Sequence, residues 1–325
     1  MRFGLEIHQY LDAKTCLEEA RAAEQLGYDA VWFGDSQMIW REAYVLLGAA
    51  AAVTSRVDLG IGVTNPYTRH LGVTASAMLT LQELCDGRAT LGVGSGHTSV
   101  ATIGAPRASR AQLTEFVAGL RSLFDGQPVG PMRLAYAGSV DPPPIFVAGS
   151  GPNMLRLAGT IGDGVIVAGQ NGQPEGVRLA LQHVREGQRE RSESARTFSV
   201  CVGIAAAVAE DRPEALDAVR PHAAQGLLSP LARLSGSALE ARDRLRMTYD
   251  AYQHLHPSAA PAAAVPDEVI REFCLAGTPG ECAAQARALF EAGADEITIR
   301  PYALPGHSRL EMIEAFARRV IGRLR

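Results

Sequence analysis

The feature that most limits what this chain can become is a strand followed by a helix, repeated eight times. Apolar, β-branched runs stand at RFGLEIH (2–8), YDAVWFGD (28–35), VDLGIGVT (57–64), ATLGVGSG (89–96), PIFVAGSG (144–151), DGVIVAG (163–169), TFSVCVGIAAAV (197–208) and DEITIRPY (295–302). Between most of them lie stretches with apolar residues at helical spacing, such as CLEEARAAEQLG, TASAMLTLQELCDG and PNMLRLAGTIG. Each closes near a glycine, where helices commonly end. Eight such units are the count of a (β/α)8 or TIM barrel, an α/β fold. A doubly wound sheet is the rival, and it rarely needs eight strands in one unbroken alternation. A single barrel domain over residues 1–325 is the expectation.

Two segments exceed a minimal barrel. Residues 124–143 (FDGQPVGPMRLAYAGSVDPP) form a Gly/Pro-rich insertion after the fourth helix, with a short hairpin expected around Met132 to Tyr136. The larger insertion, 211–277 between the seventh and eighth strands, holds at least three helical stretches and the linker-like HPSAAPAAAVPDE. Both are expected near the C-terminal mouth, where barrel active sites are built.

With 325 residues, 47% of them hydrophobic, the chain can bury a large core. A net charge of −4 and a pI near 6.1 offer no electrostatic attraction to nucleic acid or to an anionic membrane, which leaves small molecules as ligands. Cys16, Cys85, Cys201, Cys274 and Cys282 show no CxxC or Cys/His spacing, so no metal site or disulfide framework is expected and the thiols should be buried. The N-terminus MRFGLEIHQY is too short and polar for a secretion signal, and no apolar run reaches the roughly 20 residues of a membrane span. A cytoplasmic protein is expected.

Strand ends carry the chemistry. Alternation in RFGLEIH turns Phe3, Leu5 and Ile7 toward the helices and Gly4, Glu6 and His8 into the barrel. An inward carboxylate at Glu6 is either a working group or a structural filler paired with an arginine or a buried water. In ATLGVGSG the bare positions Gly92, Gly94 and Gly96 leave a trough that a flat ring could occupy, or else they allow tight packing. In LGIGVTNPYTRH, Gly60 and Gly62 interrupt a strand just before the Asn65-Pro66 turn, the mark of a bulge or of a close approach by a ligand or backbone. The turn GSGPNML (149–155) feeds a helix whose first turn contains Pro152, so Gly149, Ser150, Gly151 and Asn153 could offer backbone amides to a phosphate.

The run GVTNPYTRHLGVTASAMLTLQELCDGRATLGVGSG (62–96) resembles the methylenetetrahydromethanopterin reductase branch of the luciferase-like superfamily. FGLEI (3–7), GYDAVWFGD (27–35), GSGPNMLRLAGTIGDGVIV (149–167) and FCLAGTPGECAAQARALFEAGADEI (273–297) extend the resemblance over nearly the whole chain. It implies a (β/α)8 barrel and a two-electron oxidoreductase using the deazaflavin coenzyme F420, with FMN as the alternative cofactor. It further implies a cis Gly62–Val63 bond in a bulge supporting the ring, Thr64 and Asn65 at the ring edge, and a homodimer through helices near the second and third strands; Gly94, Ser95 and Gly96, in the small-residue turn GVGSGH, are further cofactor-binding candidates. Glu6 matches an inward carboxylate of that family, and Asp35 and His8 complete the candidate catalytic set. Many relatives carry Thr-Asp-His where this chain has Gly34-Asp35-Ser36, so either the proton donor or orienting group comes from elsewhere, with His8, His70 and His97 as candidates, or the chemistry has shifted. The expected reaction is hydride transfer to an unsaturated carbon or imine of a small molecule. An FMN-dependent monooxygenase and a flavin-binding protein without turnover are the alternatives.

Overall fold

A computed structural model describes residues 1–168, 172–191, 197–227, 237–246 and 265–325. The elements run β1 (Arg2–Ile7), α1 (Ala13–Gln25), β2 (Ala30–Phe33), α2 (Ala43–Val53), β3 (Asp58–Thr64), α3 (Leu71–Leu84) and β4 (Ala89–Val93). They continue with α4 (Thr98–Ala101), α5 (Arg110–Phe124), β5 (Ile145–Gly149), α6 (Pro152–Ile161), β6 (Gly164–Val167), α7 (Pro174–Gln188) and β7 (Ser199–Val208). The remainder holds α8 (Arg212–Gly226), α9 (Ser237–Arg246), α10 (Asp267–Phe273), β8 (Cys274–Gly277), α11 (Pro279–Glu291), β9 (Glu296–Pro301) and α12 (Arg309–Arg319).

Strands β1 to β7 pair in sequence, all parallel, and β9 joins β7 to β1, closing an eight-stranded barrel. These are the eight strands that the sequence pattern marks. The short β8 is additional. It lies within residues 211–277 and pairs with Ala205–Val208 of β7, beyond the Ser199–Val202 stretch that pairs with β6. Of the linker-like HPSAAPAAAVPDE, residues 256–264 fall outside the described residues.

Side-chain alternation fixes which face of each strand is core. Phe3 is fully buried between the rings of Phe290 on α11 and Phe316 on α12, at 5.3 and 6.2 Å, so it points out toward the helices. Ala30, Trp32 and Cys201 cluster separately with Phe146 and Ile166 and fill the barrel itself. The indole of Trp32 donates to Glu296 Oε1 at 2.8 Å, and Gly60 is bare because a Cβ there would lie 2.2 Å from that ring. All five cysteines are buried free thiols.

The tightest helix contact is between α6 and α7. A Cβ on Gly159 would sit 2.0 Å from the carbonyl oxygen of Val184, and one on Gly187 would sit 1.8 Å from that of Arg156, so each helix presents a glycine to the other's backbone. Pro152 opens α6 at its first turn, where a missing N–H costs no helical hydrogen bond.

The 124–143 connection joins a helix to the next strand, so its ends lie at the opposite end of the barrel from the mouth. It climbs along α3: Asp141 accepts from Gln82, Tyr136 reaches Ser76, and Met132 lies against Gly72 in the helix's first turn. A tight turn bridging Val129 and Met132 stands where a hairpin at Met132 to Tyr136 was expected. Among the described residues no helix is long and apolar enough to cross a membrane.

Candidate active site at the barrel mouth

The end of β1 carries the first set of groups. Gly4 faces inward, since a Cβ there would meet Thr298 Oγ1 at 2.5 Å, and Glu6 is the next inward position. Both Glu6 oxygens accept hydrogen bonds from Arg300 of β9, Oε1 from Nε at 2.9 Å and Oε2 from Nη2 at 2.5 Å. The partner of the inward carboxylate is thus an arginine and not a lone buried water. Burial is the largest single influence on Arg300 and works to lower its pKa, but the charge and hydrogen bond of Glu6 together with Tyr302 and Cys274 outweigh it, so the net shift is upward. The remaining fork nitrogen, Nη1, lies 3.4 Å from His222 Nδ1 on α8. Arginine only donates, so that Nδ1 is the acceptor and the imidazole proton sits on Nε2. His8 is buried between Tyr10 and Tyr302, with ring centroids at 5.3 and 5.5 Å, and Tyr302 stands 6.0 Å from His222.

A second set comes from β2 and β3. Asp35 is buried and accepts from Thr64 Oγ1 at 2.7 Å. Burial pushes its carboxyl pKa up, and the Thr64 hydrogen bond and the Arg69 charge oppose the shift only in part. A carboxyl whose folded pKa exceeds its unfolded one opposes folding above the folded pKa, and this penalty fades as pH falls through it. Asp35→Asn keeps an acceptor for Thr64 and removes the charge. It is therefore expected to raise the melting temperature at pH 7, with the gain vanishing below about pH 4, the unfolded carboxylate range. A neutral-pH Tm equal to wild type would contradict this.

Gly62–Val63 is cis, as the resemblance implies, and the β3–β4 register shifts between Ile61 and Thr64. The partly exposed Val63 fills the bare face at the end of β4: Cβ atoms on Gly92 and Gly94 would meet its methyls at 3.1 and 2.9 Å, and one on Gly92 would also lie 2.3 Å from the carbonyl oxygen of Ile61. The expected open trough is corrected here, because at Gly92 and Gly94 the glycines admit Val63. Asn65 spends its whole amide inside the protein. Its Oδ1 accepts from the Tyr67 and Thr68 amides, and its Nδ2 donates to Thr68 Oγ1 at 2.9 Å and Ser99 Oγ at 3.1 Å. Any contact from Asn65 to a ligand is thereby left to its backbone.

The three candidate histidines part company. His70 is exposed and caps α3, its Nδ1 accepting from the Gly72 amide at 3.2 Å. His97, which follows Gly94, Ser95 and Gly96, precedes α4; it is exposed in surface area, and partial desolvation, with Arg107 acting the same way, lowers its pKa. His8 lies beside Glu6 on β1. Gln9 was not singled out by the sequence, yet it ties the ends of β1 and β2 together: its Oε1 accepts from the Gly34 amide at 2.7 Å and its Nε2 donates to the Arg41 carbonyl at 2.9 Å. Arg300 was also missed, although alternation in DEITIRPY places it on the same inward face as Glu296 and Thr298.

A third element is the start of α6. Its N-cap is Gly151, with no capping side chain, and Gly149 brings the strand so close that a Cβ would lie 3.0 Å from the Leu155 amide. The amides of Met154 and Leu155 bond back to the Gly151 carbonyl, whereas those of Ser150, Gly151 and Asn153 donate to no acceptor among the described residues. N–H groups so placed at the positive end of a helix suit an anion.

Known proteins share this plan. The luciferase-like monooxygenase family model matches residues 1–296. A 5,10-methylenetetrahydromethanopterin reductase of Methanolobus tindarius is 28% identical over 310 residues, covering 91% of this chain and 93% of that protein. An F420-dependent glucose-6-phosphate dehydrogenase of Beutenbergia cavernae is 35% identical over 228 residues, covering 64% of this chain and 68% of the relative. The solved coenzyme F420-dependent tetrahydromethanopterin reductase of Methanopyrus kandleri superposes with a TM-score of 0.81 at 22% identity, covering 100% of this chain and 99% of that one. With the closed barrel, the bulged β3 and these matches in hand, the chain belongs to the luciferase-like monooxygenase family.

Proposed function

We propose that the protein is a coenzyme F420-dependent oxidoreductase acting on an unsaturated small molecule. The observation that carries the reading is the pairing of an anion cradle at Ser150, Gly151 and Asn153 with a barrel mouth floored by Val63. A phosphate-bearing tricyclic ring system fits that combination, and relatives bearing coenzyme F420 in their names support the deazaflavin over FMN. Bound deazaflavin supplies a two-electron hydride carrier that reacts poorly with oxygen.

The chain's own residues divide the remaining work. The α6 amides hold the phosphate, Asp35 and Thr64 brace the β2 and β3 ends beside Val63, and the segment Gly94, Ser95, Gly96 adjoins Val63 through Gly94. Glu6, clasped by Arg300, and His8 stand on the β1 side, where proton handling and substrate orientation fall to them. Fluorescence titration with F420 and with FMN tests the assignment. Saturable F420 binding is expected, while tight FMN binding with oxygen uptake by the reduced form would favour the monooxygenase alternative. Cofactor binding with no turnover of any unsaturated carbonyl or imine would favour a carrier.

Gly151→Leu is expected to weaken cofactor binding about tenfold or more, roughly the 1.4 kcal/mol of one lost charge-assisted contact. Its φ of −112° suits any residue, so the fold should stay intact, and unchanged affinity would remove the cradle from the site. We also propose a homodimer built on α2 and α3, whose Val45 and Val73 are 70% and 50% exposed. Light scattering should return twice the 34.5 kDa chain mass, and a monomer at micromolar concentration would refute the dimer.

A further inference from the structure

The ladder between β1 and β9 stops at Leu5 and Ile299, although β1 stays paired with β2 as far as Ile7 and β9 stays paired with β7 as far as Pro301. Past that point the seam between the two strands carries no ladder pairing. Glu6 and Arg300 close it from inside. From the helix side it is closed by a second ion pair, between Arg309 at the start of α12 and Glu19 on α1, which are 7% and 1% exposed.

Arg309 donates from Nε and Nη2 to the two Glu19 oxygens at 3.0 and 3.1 Å. The same guanidinium reaches the Pro301 carbonyl from Nη1 at 2.5 Å and the Glu6 carbonyl from Nη2 at 3.3 Å. It thus grips the backbone of the residue that bears Glu6 and of the residue next to Arg300. A buried ion pair contributes little net stability compared with an apolar pair of the same shape, so stability alone gives no reason for one here. The planar fork, with several N–H groups fixed in one plane, is suited to bridging a carboxylate and two carbonyls, and a lysine cannot reproduce it.

We propose that Arg309, with Glu19, is a positioning residue for the active site: it fixes the separation of the β1 and β9 ends and so holds the Glu6–Arg300 pair in register across the seam. The functional part rests on the reading of Glu6 and Arg300 as substrate-side groups, but the geometric part does not. In the full chain labelled with 15N-arginine, the Arg300 Nε–H signal, assigned by its disappearance in Arg300→Lys, reports the clasp without any ligand. Its exchange with solvent is expected to speed up about tenfold in Arg309→Met and in Arg309→Lys, the size of one lost hydrogen bond, and less in Glu19→Gln. Arg121→Met, which breaks the pair with Asp163 at the far end of the barrel, should leave the signal unchanged.

An unchanged Arg300 signal in folded Arg309→Met overturns the proposal. Should that variant not fold, unchanged signals in both Arg309→Lys and Glu19→Gln overturn it equally. With reduced F420 and a turned-over substrate, Arg309→Lys should lower kcat while the cofactor Kd stays put. Absence of turnover in the wild type would count against the functional reading alone, since the exchange measurement stands apart from it.

Discussion

Glu6→Gln is expected to slow single-turnover hydride transfer by about 100-fold or more, the usual weight of a positioned acid or base, with cofactor affinity nearly unchanged. It should also destabilise the protein. The glutamine leaves the Arg300 charge inside the barrel without its counter-ion, and breaking a buried pair from one side costs about 3 kcal/mol at the lower end of the measured range. Both side chains keep a little solvent contact, 11% and 14%, which argues for that lower end. The double variant Glu6→Gln/Arg300→Gln separates the two effects, because it removes both charges. It should recover most of the melting temperature and none of the rate. A normal rate per folded molecule in Glu6→Gln would make Glu6 a structural counter-ion and take it off the catalytic list.

Gly159→Ala is the second large effect. The new methyl would lie 2.0 Å from the Val184 carbonyl oxygen, a backbone atom that cannot swing away, so α6 and α7 must separate. Overpacking of this kind costs about 3 kcal/mol, the upper part of its usual range. The same helix begins at the anion cradle, eight positions earlier, and a tilt there misplaces the amides of Ser150, Gly151 and Asn153. A loss of about tenfold in cofactor affinity should accompany the fall in melting temperature. Destabilisation with unchanged affinity would mean that the cradle is set by β5 and its close approach at Gly149, independently of how α6 rests on α7.

Legibility from sequence tracks how local the determining interaction is. The outward Phe3 and inward Gly4 and Glu6 follow from a period of two within seven residues, and the same rule applied to DEITIRPY places Glu296, Thr298 and Arg300 inside. What alternation cannot supply is the partner. Glu6 and Arg300 are 294 positions apart, and only barrel closure brings them within hydrogen-bond reach. The glycines of β4 were legible as bare positions, but whether a ligand or a neighbouring side chain fills such a face is decided by the bulge at Ile61 to Thr64. Asn65 was legible as a turn former, whereas its anchoring to Ser99 depends on where α4 sits. The strand Cys274–Gly277 is four residues long inside a helical segment, too short to announce a period of its own.

That extra strand changes which strands wall the barrel along its axis. At the waist β7 is flanked by β6 on one side and β9 on the other, and eight strands make the circle. Higher up, where β6 has ended, β8 takes over the same edge of β7 at Ala205 to Val208. There β8 stands in place of β6 and adds no ninth strand to the circle, and it keeps the upper part of β7 from presenting an unpaired edge to another chain.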